Sequence, residues 1–147
     1  MTQDCPAADR EQVVDTMIAL TRLSSLHRAI VAGSDGMELY LALRRRGFGR
    51  VSTPEICRLP KGQHAVALVT APQSAAAIEA ALVQVSQFLA ANAAIAVLID
   101  SRDGGDSLRI RRKLQQMGFR IEAGVRCRRG FVLSACRQGF VQMESAA

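Results

Sequence analysis

The chain has 147 residues, 49% of them hydrophobic, and 19 Lys and Arg against 13 Asp and Glu give a net charge of +6. That length and apolar content fit one domain, 1–147, able to bury a core, and exclude a disordered polyelectrolyte. With no tryptophan and Tyr40 as the single tyrosine, flat platforms for stacking bases are scarce, so the positive charge does not predict nucleic-acid binding.

Residues 1–9 lack periodicity and read as a tail. Asp9 and Gln12 resemble a helix start. Val13, Met17 and Leu20 recur at helical spacing, which predicts a helix over 10–24. Ala29–Ala32 is short and uniformly apolar, as suits a central parallel strand buried on both faces. Gly33 and Gly36 supply a turn, and Asp35 with Glu38 forms a capping-box pattern for a helix over 36–46. Arg44, Arg45 and Arg46 fall in its last turn, where the helix dipole favours cations, and Gly47 stops it.

Arg50–Thr53 reads as a short strand and 54–62, with two prolines, as a loop. His64–Val69 is the next apolar strand. Pro72 is expected in the first turn of a helix whose Ile78, Leu82, Val85 and Leu89 share a face. Ala94–Ile99 is a third buried strand. Asp106 is expected to cap a helix with Ile110, Leu114 and Met117 inward, ended by Gly118. Phe119–Ala123 and Gly130–Cys136, joined around 124–129, predict an antiparallel hairpin, and 138–147 a tail. Alternating elements predict a mostly parallel sheet with helices on both faces.

Cys5, Cys57, Cys127 and Cys136 show no C-x-x-C spacing, and only His27 and His64 could join them. Reduced cysteines and no metal are expected. Met1–Arg10 is polar and acidic, unlike a signal peptide, and Glu79, Gln84, Gln87 and Asn92 interrupt the apolar run 75–99. These features predict a soluble, cytoplasmic protein without a membrane span.

The closing elements, Met117-Gly118-Phe119-Arg120-Ile121-Glu122 and Arg129-Gly130-Phe131-Val132-Leu133-Ser134-Ala135, resemble the end of class I S-adenosylmethionine-dependent methyltransferases, where a reversed last strand is inserted beside the sixth. Ile30-Val31-Ala32-Gly33-Ser34-Asp35-Gly36 is similar to that family's first glycine motif. The resemblance covers about 10–137 as an order of elements. It implies an α/β, Rossmann-like three-layer sandwich with strand order 2-1-4-5-7-6 in family labels. The family's third strand and its flanking helices are missing between Thr53 and His64. It also implies S-adenosylmethionine as cofactor, with Gly33, Ser34, Asp35 and Gly36 at its amino-acid end and Glu55 at the ribose.

The motif departs from the family at three places. Val31 stands where an acidic residue is usual, and Asp35 and Met37 where the second and third glycines are usual. Glu55 is the only carboxylate after the second strand. Val69-Thr70-Ala71-Pro72 lacks the acidic, asparagine or tyrosine groups of many members.

Asp100, Asp103 and Asp106 read as a solvated loop and cap, with base or metal chemistry as the alternative. Three arginine groups are visible: Arg44–Arg46 with Arg50, Arg109–Lys113, and Arg126, Arg128 and Arg129. The last group, beside the crevice, is the candidate for holding an anionic substrate. Two functions follow: a small methyltransferase acting on an unnamed substrate, or a non-catalytic relative serving as a binding or assembly module. A homodimer is expected because the shortened sheet leaves 50–53 at an open edge. The partners expected are a small-molecule ligand and a second copy, not nucleic acid or membrane.

Overall fold

A computed structural model of the chain describes residues 6–70, 74–99 and 104–137. Its elements are α1 (Pro6–Thr21), β1 (Ala29–Ala32), α2 (Gly36–Arg45), β2 (Val51–Ser52), β3 (His64–Thr70), α3 (Ala75–Ser86), β4 (Leu89–Ile99), α4 (Gly104–Gln116), β5 (Phe119–Cys127) and β6 (Gly130–Arg137). The strands form one sheet in the order β2-β1-β3-β4-β6-β5. Pairing is parallel from β2 through β4, and β6 enters antiparallel, with Ala94 opposite Cys136 and Ile99 opposite Phe131. This is the expected order once the missing third strand is left out: Thr53–Gln63 contains turns but neither helix nor strand.

Period-two burial explains why the central strands are apolar throughout. Ile30, Ala67, Val69, Ile95 and Val97 face a layer built from Ile78, Leu82, Ile110 and Leu114 of α3 and α4. Their alternates, Val31, Val66, Leu68, Ala96 and Leu98, face Val13, Met17, Leu39 and Leu43 of α1 and α2. Each strand is thus covered twice, and a polar residue has no open face to occupy.

Several boundaries differ from the sequence expectation. Helix α1 begins at Pro6 and ends at Thr21, placing Asp9 within its first turn instead of at its cap. Arg22 then takes a positive φ of 55° and turns the chain. Strand β2 is only two residues long. Ser74, not singled out above, caps α3 by accepting from the Ala77 N–H at 3.2 Å; Pro72 lies outside the described residues. Strand β4 starts at Leu89, five residues early, so Leu89 belongs to the sheet and not to the helix face. The Gly62 and His64 N–H groups donate to Gln87 and Phe88 carbonyls and fix that early start. Asp106 sits in the first turn of α4, not at its cap.

The hairpin is longer than expected, and only Arg128 and Arg129 separate its strands. Gly124 stays inside β5 because the Phe131 ring occupies the space of its missing side chain: a Cβ there would lie 2.2 Å from the ring. The expected tail 138–147 and Met1–Cys5 lie outside the described residues.

Two polar side chains close the far end of the sheet. Arg137 donates to the carbonyls of Ser86 (3.0 Å), Leu89 (2.9 Å) and Ala90 (3.4 Å), with its guanidinium 5.1 Å from the Phe119 ring centre. His64 is 1% exposed; its Nδ1 lies 3.3 Å from the Phe88 carbonyl and its Nε2 3.9 Å from Cys57 Sγ. Burial pushes the imidazole pKa down, with the Phe88 carbonyl opposing and Arg28 adding to the fall.

His64 therefore folds neutral, while the unfolded chain takes up a proton below the ordinary histidine pKa of about 6.5. Stability is present above that pH and falls as the solution is acidified through it. Urea midpoints should drop between pH 7.5 and 5.5, and His64→Gln, though less stable at pH 7.5, should show a smaller drop. Arg137→Met should cost about 2 kcal/mol, because three carbonyls lose a charged donor; chemical denaturation measures it.

Candidate functional site

The chain leaves β1 toward β2 on one side and comes back to β3 on the other, so the carboxyl ends of β1 and β3 flank the sheet's topological switch. Open α/β sheets hold their ligands at such a point. Here Gly33 follows β1 with φ at +105°. A Cβ on Gly33 would lie 1.8 Å from the Thr70 carbonyl oxygen, so the turn tolerates no side chain there. The Asp35 N–H donates back to that same carbonyl at 3.5 Å. The first glycine is therefore required by contact with the end of β3.

Asp35 adopts φ −102° and ψ 21°, a conformation open to any L-residue. It is the N-cap of α2, yet its side chain makes no capping hydrogen bond. The expected capping box is replaced by two ion pairs. Glu38 accepts from Arg10 of α1 at 2.7 Å, and Asp35 lies 3.9 Å from Arg129 of the hairpin turn. Arg10 and Arg129 outbid a backbone cap because they offer full charges at the same helix end.

Between α1 and α2, over the carboxyl ends of β3 and β4, a pocket of about 300 Å³ opens. Its floor is Val13, Val14, Leu39, Ala42 and Leu98; its rim carries Arg10, Glu11, Glu38, Arg45, Asp35 and Arg129. Thr70 also lines it, 5% exposed, and its Oγ1 has no hydrogen-bond partner. Thr53 is the matching case beyond β2: 3% exposed, with an unpartnered Oγ1. The pairing of Ala29 with Val51 and of Ala32 with Val69 puts these two hydroxyls on either side of the end of β1.

The structure gathers only part of the residue set singled out from sequence. Asp35 and Arg129 meet at the pocket. Gly33 and Ser34 are exposed in the turn behind it, and Gly36 is buried in the first turn of α2. Glu55 is exposed beyond β2 and does not line the pocket. Arg126 is exposed on β5, while the Arg128 backbone N–H donates to Gln12 Oε1 at 3.2 Å. Asp100 and Asp103 lie outside the described residues.

The other arginine groups are tied into the surface. Arg46 bonds Glu11 at 2.8 Å and Asp15 at 2.9 Å, and Arg109 pairs with Glu79 at 2.9 Å, holding that carboxyl below its usual pKa. Arg45, by contrast, reaches the pocket rim from α2. Among the described residues no three His, Cys, Asp or Glu side chains converge as a metal site, and no helix is long and apolar enough to cross a membrane.

Thr70, Arg10 and Glu38 complete the site and were not assigned to it from sequence. Thr70 carried a signal: it is the first polar residue after an apolar run that ends at the sheet's carboxyl edge. Arg10 carried none, because its role depends on how α1 crosses α2.

Compared by sequence, the chain matches no protein-family model and no curated protein. Compared by structure, it is similar to a SAM-dependent methyltransferase from Aquifex aeolicus, with 14% identity and a TM-score of 0.56 over 90% of this chain and 94% of that one. It is similar to the 1,6-didemethyltoxoflavin-N1-methyltransferase of Burkholderia thailandensis, solved with S-adenosylhomocysteine bound, with 12% identity and a TM-score of 0.61 over 90% and 80%. A third is the release-factor-specific protein-(glutamine-N5) methyltransferase of Alicyclobacillus acidocaldarius, with 19% identity and a TM-score of 0.53 over 94% and 98%. The chain has the α/β Rossmann-like fold of class I S-adenosylmethionine-dependent methyltransferases.

The two glycines of the turn should respond differently to the same change. Gly33→Ala should destabilise by about 3 kcal/mol, through the backbone clash and the positive φ. Gly36 has ordinary φ and nothing closer than 4.0 Å to an added Cβ, so Gly36→Ala should be neutral or stabilise by up to about 1 kcal/mol. Denaturant midpoints of the two variants check this contrast.

Proposed function

We propose that the chain binds S-adenosylmethionine at the switch-point pocket and transfers its methyl group to a small substrate. The observation that supports this reading is the pocket's place, at the carboxyl ends of a sheet whose strand order and reversed β6 match the methyltransferase architecture. Its volume is at the lower end for small-molecule sites.

The residues fit such a cofactor at one end. Gly36 leaves backbone room at the N-terminus of α2, Asp35 and Arg129 present opposite charges, and Thr70 has a spare buried hydroxyl. Glu55, which the resemblance assigns to the ribose, is exposed and stands outside the pocket. When bound, the cofactor supplies a methyl carbon made electrophilic by a sulfonium. The chain's part is to orient and to exclude water, with Val13, Val14, Leu39 and Leu98 providing an apolar wall. Alignment of donor and acceptor accounts for much of such a rate gain. No side chain is assigned to take the acceptor's proton: Glu38 is hydrogen-bonded to Arg10 and Glu11 to Arg46, and Asp35 is paired at 3.9 Å with Arg129.

That engagement favours a second reading, a module that binds ligand without transfer. No His, Cys, Tyr or Lys lines the pocket among the described residues. The two-residue edge strand β2, followed by exposed Ile56 and Leu59, offers a surface for self-association in that case.

Calorimetry with S-adenosylmethionine and S-adenosylhomocysteine tests both. Saturable heat for either ligand is the expected result, and its absence at millimolar ligand would remove the cofactor reading. Methyl release from labelled cofactor in the presence of candidate acceptors then separates enzyme from module. Sedimentation that stays monomeric over a wide concentration range would count against assembly.

A further inference from the structure

We infer that the groove between α3 and α4 is a binding site for a phosphate monoester, with Arg112 and Lys113 supplying the charge. It lies on the face of the sheet opposite the pocket described above and does not depend on the cofactor reading.

The groove has a volume of about 260 Å³ and is lined by Glu79 of α3 and by Leu108, Arg109, Arg112, Lys113 and Gln116 of α4. Residues 109, 112, 113 and 116 follow the spacing that puts side chains on one face of a helix. All four carry N–H donors. The facing wall offers a single acid to meet them, since Glu79 is the only charged residue of α3.

Glu79 is already committed. Its two oxygens accept from Arg109 Nε at 3.0 Å and Nη2 at 2.9 Å, a fork-to-fork pair that cancels one positive charge. Of the basic run in α4, Arg109 alone is tied to a carboxylate among the described residues; Arg112 and Lys113 are neither hydrogen-bonded to one nor ion-paired. Asp106, the other acid of α4, sits in its first turn, more than a turn upstream of both.

The helix gains little from this arrangement. Like charges three and four residues apart repel. The macrodipole favours a cation in the last turn, which Lys113 provides, and asks for none at Arg109 or Arg112. Across the sheet the pattern is different, because Arg10 and Arg46, between α1 and α2, are both matched by carboxylates.

Two uncompensated cations lining one groove call for a dianion. A carboxylate cancels one of them, whereas a phosphate monoester carries about −1.5 to −2 at pH 7 and cancels both. Its terminal oxygens suit the planar fork of Arg112 and the compact ammonium of Lys113 at once. Leu108, 51% exposed, is the apolar part of the lining and gives the ester's organic group a surface to pack on. A phosphodiester has one charge per phosphate and matches the pair less well.

Calorimetry on the whole chain at low salt, with phenyl phosphate, inorganic phosphate and benzoate, tests the assignment. Phenyl phosphate should bind saturably and more tightly than either of the others. Arg112→Gln and Lys113→Gln should each weaken it about fivefold, and the double substitution should abolish binding. Glu79→Gln, which releases Arg109, should tighten it, and Leu108→Ala should bring it to the level of inorganic phosphate. Arg58→Gln removes the same charge from the exposed segment after β2 and should change nothing. The Arg112 and Lys113 variants should melt close to the unsubstituted chain, so that weaker binding is a property of the groove and not of the fold.

No saturable heat for phenyl phosphate at millimolar ligand overturns the inference. So does equal weakening by Arg58→Gln, which assigns the binding to net charge. Binding of a single-stranded oligonucleotide through Arg112 and Lys113, without binding of phenyl phosphate, also overturns it, because the groove then reads a polymer's backbone. Each of these results leaves the titration of S-adenosylmethionine at the other face to be decided by its own outcome.

Discussion

The contact on which the site depends is between Gly33 and the carbonyl of Thr70. It is a backbone-to-backbone approach that leaves no room for a methyl group. It ties the end of β1 to the end of β3 and sets the direction in which α2 departs. From that departure come the positions of Asp35 and Glu38, and from them the partners that α1 and the hairpin must supply. The clearance for a side chain falls short by more than an ångström and the φ is positive, so Gly33 cannot vary unless the turn itself moves and takes the rim of charges with it.

Charge organises the rest of the site through the two helices on one face of the sheet. Helix α1 is held to α2 by Arg10–Glu38 and by Arg46 bridging to Glu11 and Asp15. These partly exposed pairs are individually weak, but they sit over an apolar interface that excludes water beneath them. Opposite, α3 and α4 are joined through Glu79 and Arg109 above a wholly apolar layer. The two faces therefore differ: the hollow between α1 and α2 reaches down to Leu98 of the sheet, whereas the one beside α3 and α4 is lined by helix residues alone, Glu79, Arg109 and Lys113 among them.

Much of the fold was legible because buried parallel strands leave an unmistakable pattern. Ala29–Ala32, Ala65–Val69 within the strand read as His64–Val69, and Ala94–Ile99 are apolar at successive positions, since both faces are covered. The reversed hairpin was readable from the closeness of two strand-like runs, and the shortened middle from the lack of any run between Thr53 and His64. What misled was local chemistry overruled by tertiary contact. Gly124 reads as a turn, yet Phe131 fills its place and keeps it in a strand. Asp35 and Glu38 read as a capping box, yet arginines from α1 and the hairpin turn claim both carboxylates. The candidate site was legible only where it lies on one turn; Arg129 was foreseen from a cluster of three, while Thr70 and Arg10 depend on contacts that no spacing reveals.

Arg137 has a bearing on how the chain comes to its final form. It closes a corner made by Ser86, Leu89 and Ala90, roughly fifty residues earlier. Strand β4 likewise gains its antiparallel neighbour only from β6. As the polypeptide emerges from the ribosome, β1, β2 and β3 can pair while that corner still lacks its donor. Closing so long a loop is entropically slow, and the waiting edge of β4 is apolar. Until the hairpin arrives, the edge of β4 that β6 covers is apolar and unpaired, the kind of exposed strand that invites association.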